Sequence, residues 1–191
     1  MRRWKRIVAI LLIAVLAFVI EGWASSAQGA ETFFKKCTYT RTEPDGVKPP
    51  FSLAPLMGSV KVTAKTSQGS VVLRLDRKLA PCAVHSIVHL SLMGYYTDKT
   101  CPGKTAAYVE CATASPGYRF APELSGHESY PRGTVALGNV NGSGARLILV
   151  HHGSRLPAKY TVVGRITGGL PAVDRIARAG QPAWITGVQI G

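Results

Sequence analysis

The stretch from Ser59 to Asp76, SVKVTAKTSQGSVVLRLD, constrains the fold more than any other part of the chain. In VKVTAK and again in VVLRLD, apolar and polar residues alternate with a period of two. That alternation puts the valines and leucines on one face of a strand and the charged residues on the other. TSQGS between the two runs supplies turn residues, so the pair is predicted to form a β-hairpin.

APCAVHSIVHLSLMGYY follows and changes the period. Pro81 suits the first turn of a helix, Val84, Ile87, Val88 and Leu92 fall on one face, and Gly94 closes it. From Tyr95 to Arg132 the chain reads as short strands among loops. GTVALGN, ARLILVHH and KYTVVGRI are further strand candidates, GGLPAVDRIARAG is a second helix from near Pro171 to Gly180, and PAWITGVQIG closes as a strand. Strands dominate, and the two helices are far apart in sequence. The expected class is mainly β: a closed antiparallel barrel with a helix over each end. At 191 residues the chain holds one domain with a well-buried core.

Residues 1–30 do not belong to that domain. Arg2, Arg3, Lys5 and Arg6 precede an apolar run from Ile7 to Ile20, and small residues follow in EGWASSAQGA. This is the pattern of a secretory signal peptide, with Ala24 and Ala27 as candidate exit positions, and an uncleaved N-terminal membrane anchor is the alternative. Residues 31–58, broken by TEPDGVKPP and LAPLMGS, read as a Pro-rich tether, and residues 59–191 as the folded domain. The protein is expected to be exported, either secreted or held by its N-terminus on the outer face of the cytoplasmic membrane. Outside a reducing cytosol Cys37, Cys82, Cys101 and Cys111 are most simply two disulfides, with three pairings open.

The formal charge is +13, and most of it lies beyond the N-terminal segment. An anionic membrane or cell-wall surface is therefore an expected neighbour. Nucleic acid is not, because no basic-aromatic motif accompanies the charge. No metal is expected: there is no C-x-x-C, and His85 and His89 at i, i+4 lack the glutamate of H-E-x-x-H, with Ser86 in its place. The His151–His152 pair reads as a loop, with a substrate contact as the other reading. Hydrolase chemistry is excluded by the lack of a G-x-S-x-G elbow. GNVNGSG is glycine-rich without the lysine of a phosphate loop.

Taken in order, GSVKVTAKTSQGSVVLRLDRKLAPCAVHSIVHLSLMGYY, RGTVALGN, NGS, LILV and YTVVGRITGGLPAVDRIARAG resemble the cyclophilin-type peptidyl-prolyl cis-trans isomerases. The resemblance covers roughly residues 59–190 and is nearest to the exported, cysteine-bearing cyclophilins of actinobacteria. It implies an eight-stranded antiparallel barrel capped by two helices, no cofactor, a monomer, and proline-containing peptides or unfolded exported proteins as partners. It also implies a site in which an arginine eases the X–Pro amide out of plane while apolar side chains hold the ring.

Carried onto this chain residue by residue, the site looks altered. After GYYTDKTC, Gly103 occupies the arginine's place and Lys104 follows it; Glu110 stands at a glutamine position and would pair with Lys104, and the resemblance makes these two the candidate catalytic residues. Either Ala107 or Tyr108 replaces a pocket phenylalanine. Leu137, Gly138 and Asn139 keep the peptide's backbone contact. Arg146, Leu147 and Ile148 replace a glutamine and two aromatics, Arg155 stands where a tryptophan is common, Leu156 is retained, and Tyr160 matches the pocket histidine. The resemblance thus implies a weak isomerase, or a noncatalytic peptide-binding or envelope scaffold domain on the same barrel. Its hairpin of strands around PGKTAAY favours Cys101–Cys111, leaving Cys37–Cys82, while a bond from Cys82 to Cys101 or Cys111 stays open. Structural staples are the favoured reading over a redox switch.

Overall fold

A computed structural model describes residues 33–191, except 104–105, 141–142, 154–155 and 157–158; at Asn139, Val140 and Ser143 only the backbone is described. The expected signal or anchor at 1–30, and Lys104 and Arg155, lie outside the described residues. Among the described residues no helix is long and apolar enough to cross a membrane. The chain divides after Phe34, and residues from Lys35 onward form one compact unit.

Among the described residues, twelve strands and two helices follow in chain order. β1 (Phe34–Lys36), β2 (Thr40–Arg41) and β3 (Leu53–Pro55) precede the hairpin of β4 (Ser59–Thr66) and β5 (Gly69–Asp76). Helix α1 (Pro81–Leu92) leads to β6 (Thr100–Cys101), β7 (Tyr108–Cys111), β8 (Tyr118–Arg119), β9 (Thr134–Val140), β10 (Ser143–Val150) and β11 (Thr161–Gly168). Helix α2 (Leu170–Arg178) and β12 (Ala183–Ile190) complete the chain. Eight strands form one antiparallel sheet in the order β6-β12-β4-β5-β11-β9-β10-β7. The sheet rolls into a nearly closed barrel, as the alternation in β4 and β5 requires: Val60, Val62, Val71, Leu73 and Leu75 all point into one buried core.

β6 and β7 are the two edges of that sheet, and an unpaired edge is where a barrel would fray. Here the Cys101–Cys111 disulfide joins them with its Cα atoms 4.2 Å apart, and the Ala112 N–H donates to the Thr100 carbonyl at 3.1 Å. The short cysteine bracket is thus the seam of the barrel. Cys101 and Cys111 are both buried.

The helices cover the ends. α1 packs on β3, β10 and β12, and α2 on β5 and β7. Pro81 sits in α1's first turn as expected, and a carboxylate from a distant loop caps it, the Ala83 N–H donating to Glu123 Oε2 at 2.9 Å. Gly94, at φ 70°, closes the helix in the left-handed conformation. The buried stripe is displaced from the expected one. Val84 and Ile87 are buried as predicted, but Leu90 replaces Leu92, which is 69% exposed, because α1 also buries Ser86 against Tyr118.

Residues 31–58, expected as a Pro-rich tether, make defined contacts from Lys35 on. Cys37 is bonded to Cys82 at the start of α1, Tyr39 donates to the Cys82 carbonyl at 2.9 Å, and Ala54 is fully buried. β2 pairs with β8, and β1 with β3. The prolines and glycines that break periodicity here shape a strap laid over the barrel.

Candidate functional site

β7, β10 and β9 lie side by side, and alternate residues face away from the barrel core. Glu110 on β7 is opposite Ile148 on β10, which is opposite Ala136 on β9; Tyr108 is opposite Val150, and Arg146 opposite Gly138. Ala136, Ile148 and Val150 join Tyr130 and Tyr160 in a second, smaller apolar cluster outside the barrel, with Tyr108, Leu156 and Val162 packed against it. This cluster explains why LILV is apolar at every position: both faces of β10 are covered.

On this floor sits one ion pair. Arg146 Nη1 donates to Glu110 Oε2 at 2.9 Å, with the two side chains 18% and 25% exposed. Gly138 makes room for it, since a Cβ there would lie 3.1 Å from Arg146 Cδ. Arg146 Nε is buried and has no hydrogen-bond partner among the described residues. One guanidinium edge is therefore engaged while another donor is left over.

Three tyrosines form the wall. The Tyr108 and Tyr160 hydroxyls share a hydrogen bond at 3.4 Å, and Tyr130 holds Tyr160 by its backbone. Its hydroxyl donates to the Tyr160 carbonyl at 2.8 Å and accepts from the Tyr160 N–H at 3.1 Å. The bond to Tyr160, with desolvation behind it, pushes the Tyr108 hydroxyl up to about 12. Burial raises Tyr130 as well. A cavity of about 430 Å³ adjoins this wall, lined by Pro102, Ala106, Ala107, Tyr108 and Glu110. The N–H groups of His151 and His152 both donate to the Ala107 carbonyl and fix its rim.

The residues singled out by sequence are distributed as follows. Glu110, Tyr108, Gly138, Ile148, Leu156 and Tyr160 converge on this one face. Leu137 points the other way, into the barrel core, and contributes through its backbone in the β9 ladder. Asn139 lies on β9, with its side chain outside the description. Ala107 and Tyr108 both line the cavity, and only Tyr108 reaches Tyr160. Glu110, expected to pair with Lys104, pairs with Arg146. Gly103 faces the end of α2: a Cβ there would lie 2.2 Å from the Ala179 carbonyl oxygen, so this position holds no side chain of any size. Tyr130 was missed, because nothing in SYPRG marks a tyrosine that will clamp a residue thirty positions on.

The histidines of α1 are otherwise engaged. His89 Nε2 contacts the Lys48 carbonyl at 2.7 Å, and His85 packs edge-on to Tyr39. Among the described residues no three metal-ligating side chains cluster.

No family model matches the sequence. Individual relatives do. The chain is 35% identical over 146 residues to the probable peptidyl-prolyl cis-trans isomerase B of Mycobacterium tuberculosis, covering 63% of this chain and 47% of that protein. It thus spans about half the length of that mycobacterial relative. It is 30% identical over 142 residues to a probable peptidyl-prolyl cis-trans isomerase of Brucella suis, covering 63% of this chain and 72% of that one. Among solved structures, a cyclophilin type peptidyl-prolyl cis-trans isomerase of Cryptosporidium parvum superposes with a TM-score of 0.59 at 16% identity, covering 70% of this chain and 98% of its own. The same protein has been crystallised in the presence of the dipeptide Ala-Pro. The barrel, its order of elements and these relatives together place the chain in the cyclophilin-type peptidyl-prolyl cis-trans isomerase family.

Proposed function

We propose that this protein is an exported cyclophilin that binds proline-containing segments on the β7–β10–β9 face and isomerises X–Pro bonds slowly, assisting extracytoplasmic proteins as they fold. The observation that carries the reading is the Arg146–Glu110 pair seated on an apolar, tyrosine-walled floor. An X–Pro bond rotates slowly because amide resonance opposes twisting by about 18–20 kcal/mol. A donor that bonds the amide only when it is twisted lowers that barrier. Arg146 offers such a donor, but Glu110 neutralises much of its field. If the hydrogen bonds lost to this pairing are worth about 3 kcal/mol, turnover falls about a hundredfold below that of an unhindered guanidinium.

Export to the outer face of the membrane, with residues 1–30 as signal or anchor, belongs to the same reading, as do an anionic envelope surface as neighbour and a monomeric state. Two disulfides support an oxidising location. The resemblance to actinobacterial cyclophilins supports it too. The second reading is a noncatalytic peptide-binding or scaffold domain. It is favoured by the closure of position 103 against α2 and by the engagement of Arg146 with Glu110.

The test is exchange between cis and trans forms of a short X–Pro peptide, followed by NMR with the purified protein. The expected wild-type rate is a little above background, rising about tenfold in Glu110→Gln and vanishing in Arg146→Met. A wild-type rate that Arg146→Met leaves unchanged overturns the assignment of Arg146. Line broadening at the peptide without exchange in any variant establishes the scaffold reading.

A further inference from the structure

The strands β4, β5 and β11 carry a feature that peptide binding does not use. Lys61 is opposite Arg74, and Arg74 is opposite Arg165, so three cations stand in one row across three neighbouring strands. All three are exposed, on the side away from the barrel core. Like charges directly opposite one another weaken a sheet. Among the described residues no acidic side chain bonds any of them: Arg74 Nε donates to Ser59 Oγ at 3.1 Å, and the Arg165 guanidinium has no hydrogen bond or ion pair.

The row also borders a recess. A cavity of about 360 Å³ is lined by Arg74, Asp76, Leu79, Gly164 and Arg165. Gly164 lines it, opposite Leu75 on β5 and beside the register shift between β11 and β9, and the backbone approaches so closely that a Cβ would lie 2.1 Å from the Arg74 carbonyl oxygen. Asp76 Oδ1 accepts the Lys78 N–H at 2.9 Å, which turns part of its charge to the backbone. Two guanidiniums therefore flank a shallow, glycine-lined pocket with a lysine at its side.

We infer that this row binds a soluble phosphodiester polyanion, with one phosphate between Arg74 and Arg165 and the next towards Lys61. Guanidiniums grip phosphate oxygens in pairs, and neighbouring strands lie about 4.8 Å apart, so the row spans roughly 10 Å. That length accommodates two successive phosphates of a chain. A recess with a single apolar side chain, Leu79, suits a flexible polymer better than the flat, partly apolar surface of a bilayer. The row runs across β4, β5 and β11, whereas the tyrosine-walled face is built on β7, β10 and β9, with Val162 of β11 at its margin.

The test uses the whole purified protein and a fluorescently labelled poly(glycerol phosphate) oligomer, titrated at several salt concentrations. Arg74→Gln with Arg165→Gln is expected to weaken binding at least tenfold and to flatten its salt dependence. The control pair Lys36→Gln with Arg119→Gln removes the same charge from exposed positions elsewhere and is expected to change binding less than twofold. Equal weakening by both pairs overturns the site, because net charge alone then accounts for binding. Binding to phosphatidylglycerol vesicles but not to the oligomer overturns the polymer as occupant. X–Pro exchange rates unaffected by Arg74→Gln and Arg165→Gln are expected and separate this result from the isomerase reading.

Discussion

Arg146 and Glu110 show how one pair of side chains can set the character of a site. Neither is fully buried, and each is the other's partner across β10 and β7. Removing the carboxylate releases a guanidinium that Gly138 has given room to move, whence the expected gain in Glu110→Gln. Tyr160 has a similar hold on Tyr108. The shared hydroxyl bond keeps Tyr108 protonated to about 12, above its ordinary 10.0. A raised tyrosine favours the neutral form, so its contribution to stability is complete below pH 10.0 and is lost as pH climbs towards 12. Tyr160→Phe is expected to bring Tyr108 back towards its ordinary value, seen as phenolate absorbance appearing at lower pH.

β6 and β7, the two shortest parts of the barrel wall, depend on a covalent bond. Pairing covers only a few residues, and Cys101–Cys111 supplies what hydrogen bonds do not. For a loop of ten residues, loss of the crosslink costs about 3 kcal/mol in the chain-entropy account. Cys101→Ser with Cys111→Ser is expected to lower the melting temperature and to speed hydrogen exchange in β6 and β7 before the rest of the sheet. Gly103 lies within the same bracket, wedged against the last turn of α2. Gly103→Arg is therefore expected to destabilise the protein in thermal unfolding and to add no isomerase activity. Sequence order alone places Gly103 at the family's arginine position. A position can align with a family's catalytic residue and still face a helix end, because alignment counts residues and does not report direction.

The strap from Lys35 to Gly58 extends the barrel's own stability. Cys37–Cys82 closes 45 residues of chain, for which the same account gives about 4 kcal/mol. Cys37→Ser with Cys82→Ser is expected to leave the barrel folded but to expose the TEPDGVKPP turn to limited proteolysis, with the melting point falling by more than for the seam bond. The strap was invisible as structure in the sequence. Its strands are two or three residues long, too short for alternation to register, and its burial arises from Tyr39, Cys37 and Ala54 meeting residues far along the chain.

The hairpin, both helices and the long strands β9 to β12 were readable beforehand, because periodicity, Pro81, Gly94 and Pro171 act within a few residues of themselves. So was the family, through the order of those elements. The partner of Glu110, the direction of Gly103 and the clamp of Tyr130 on Tyr160 were settled only when the sheet closed. Strand register brings residues tens of positions apart to within bonding distance, and no local pattern of amino acids encodes which neighbour each will meet.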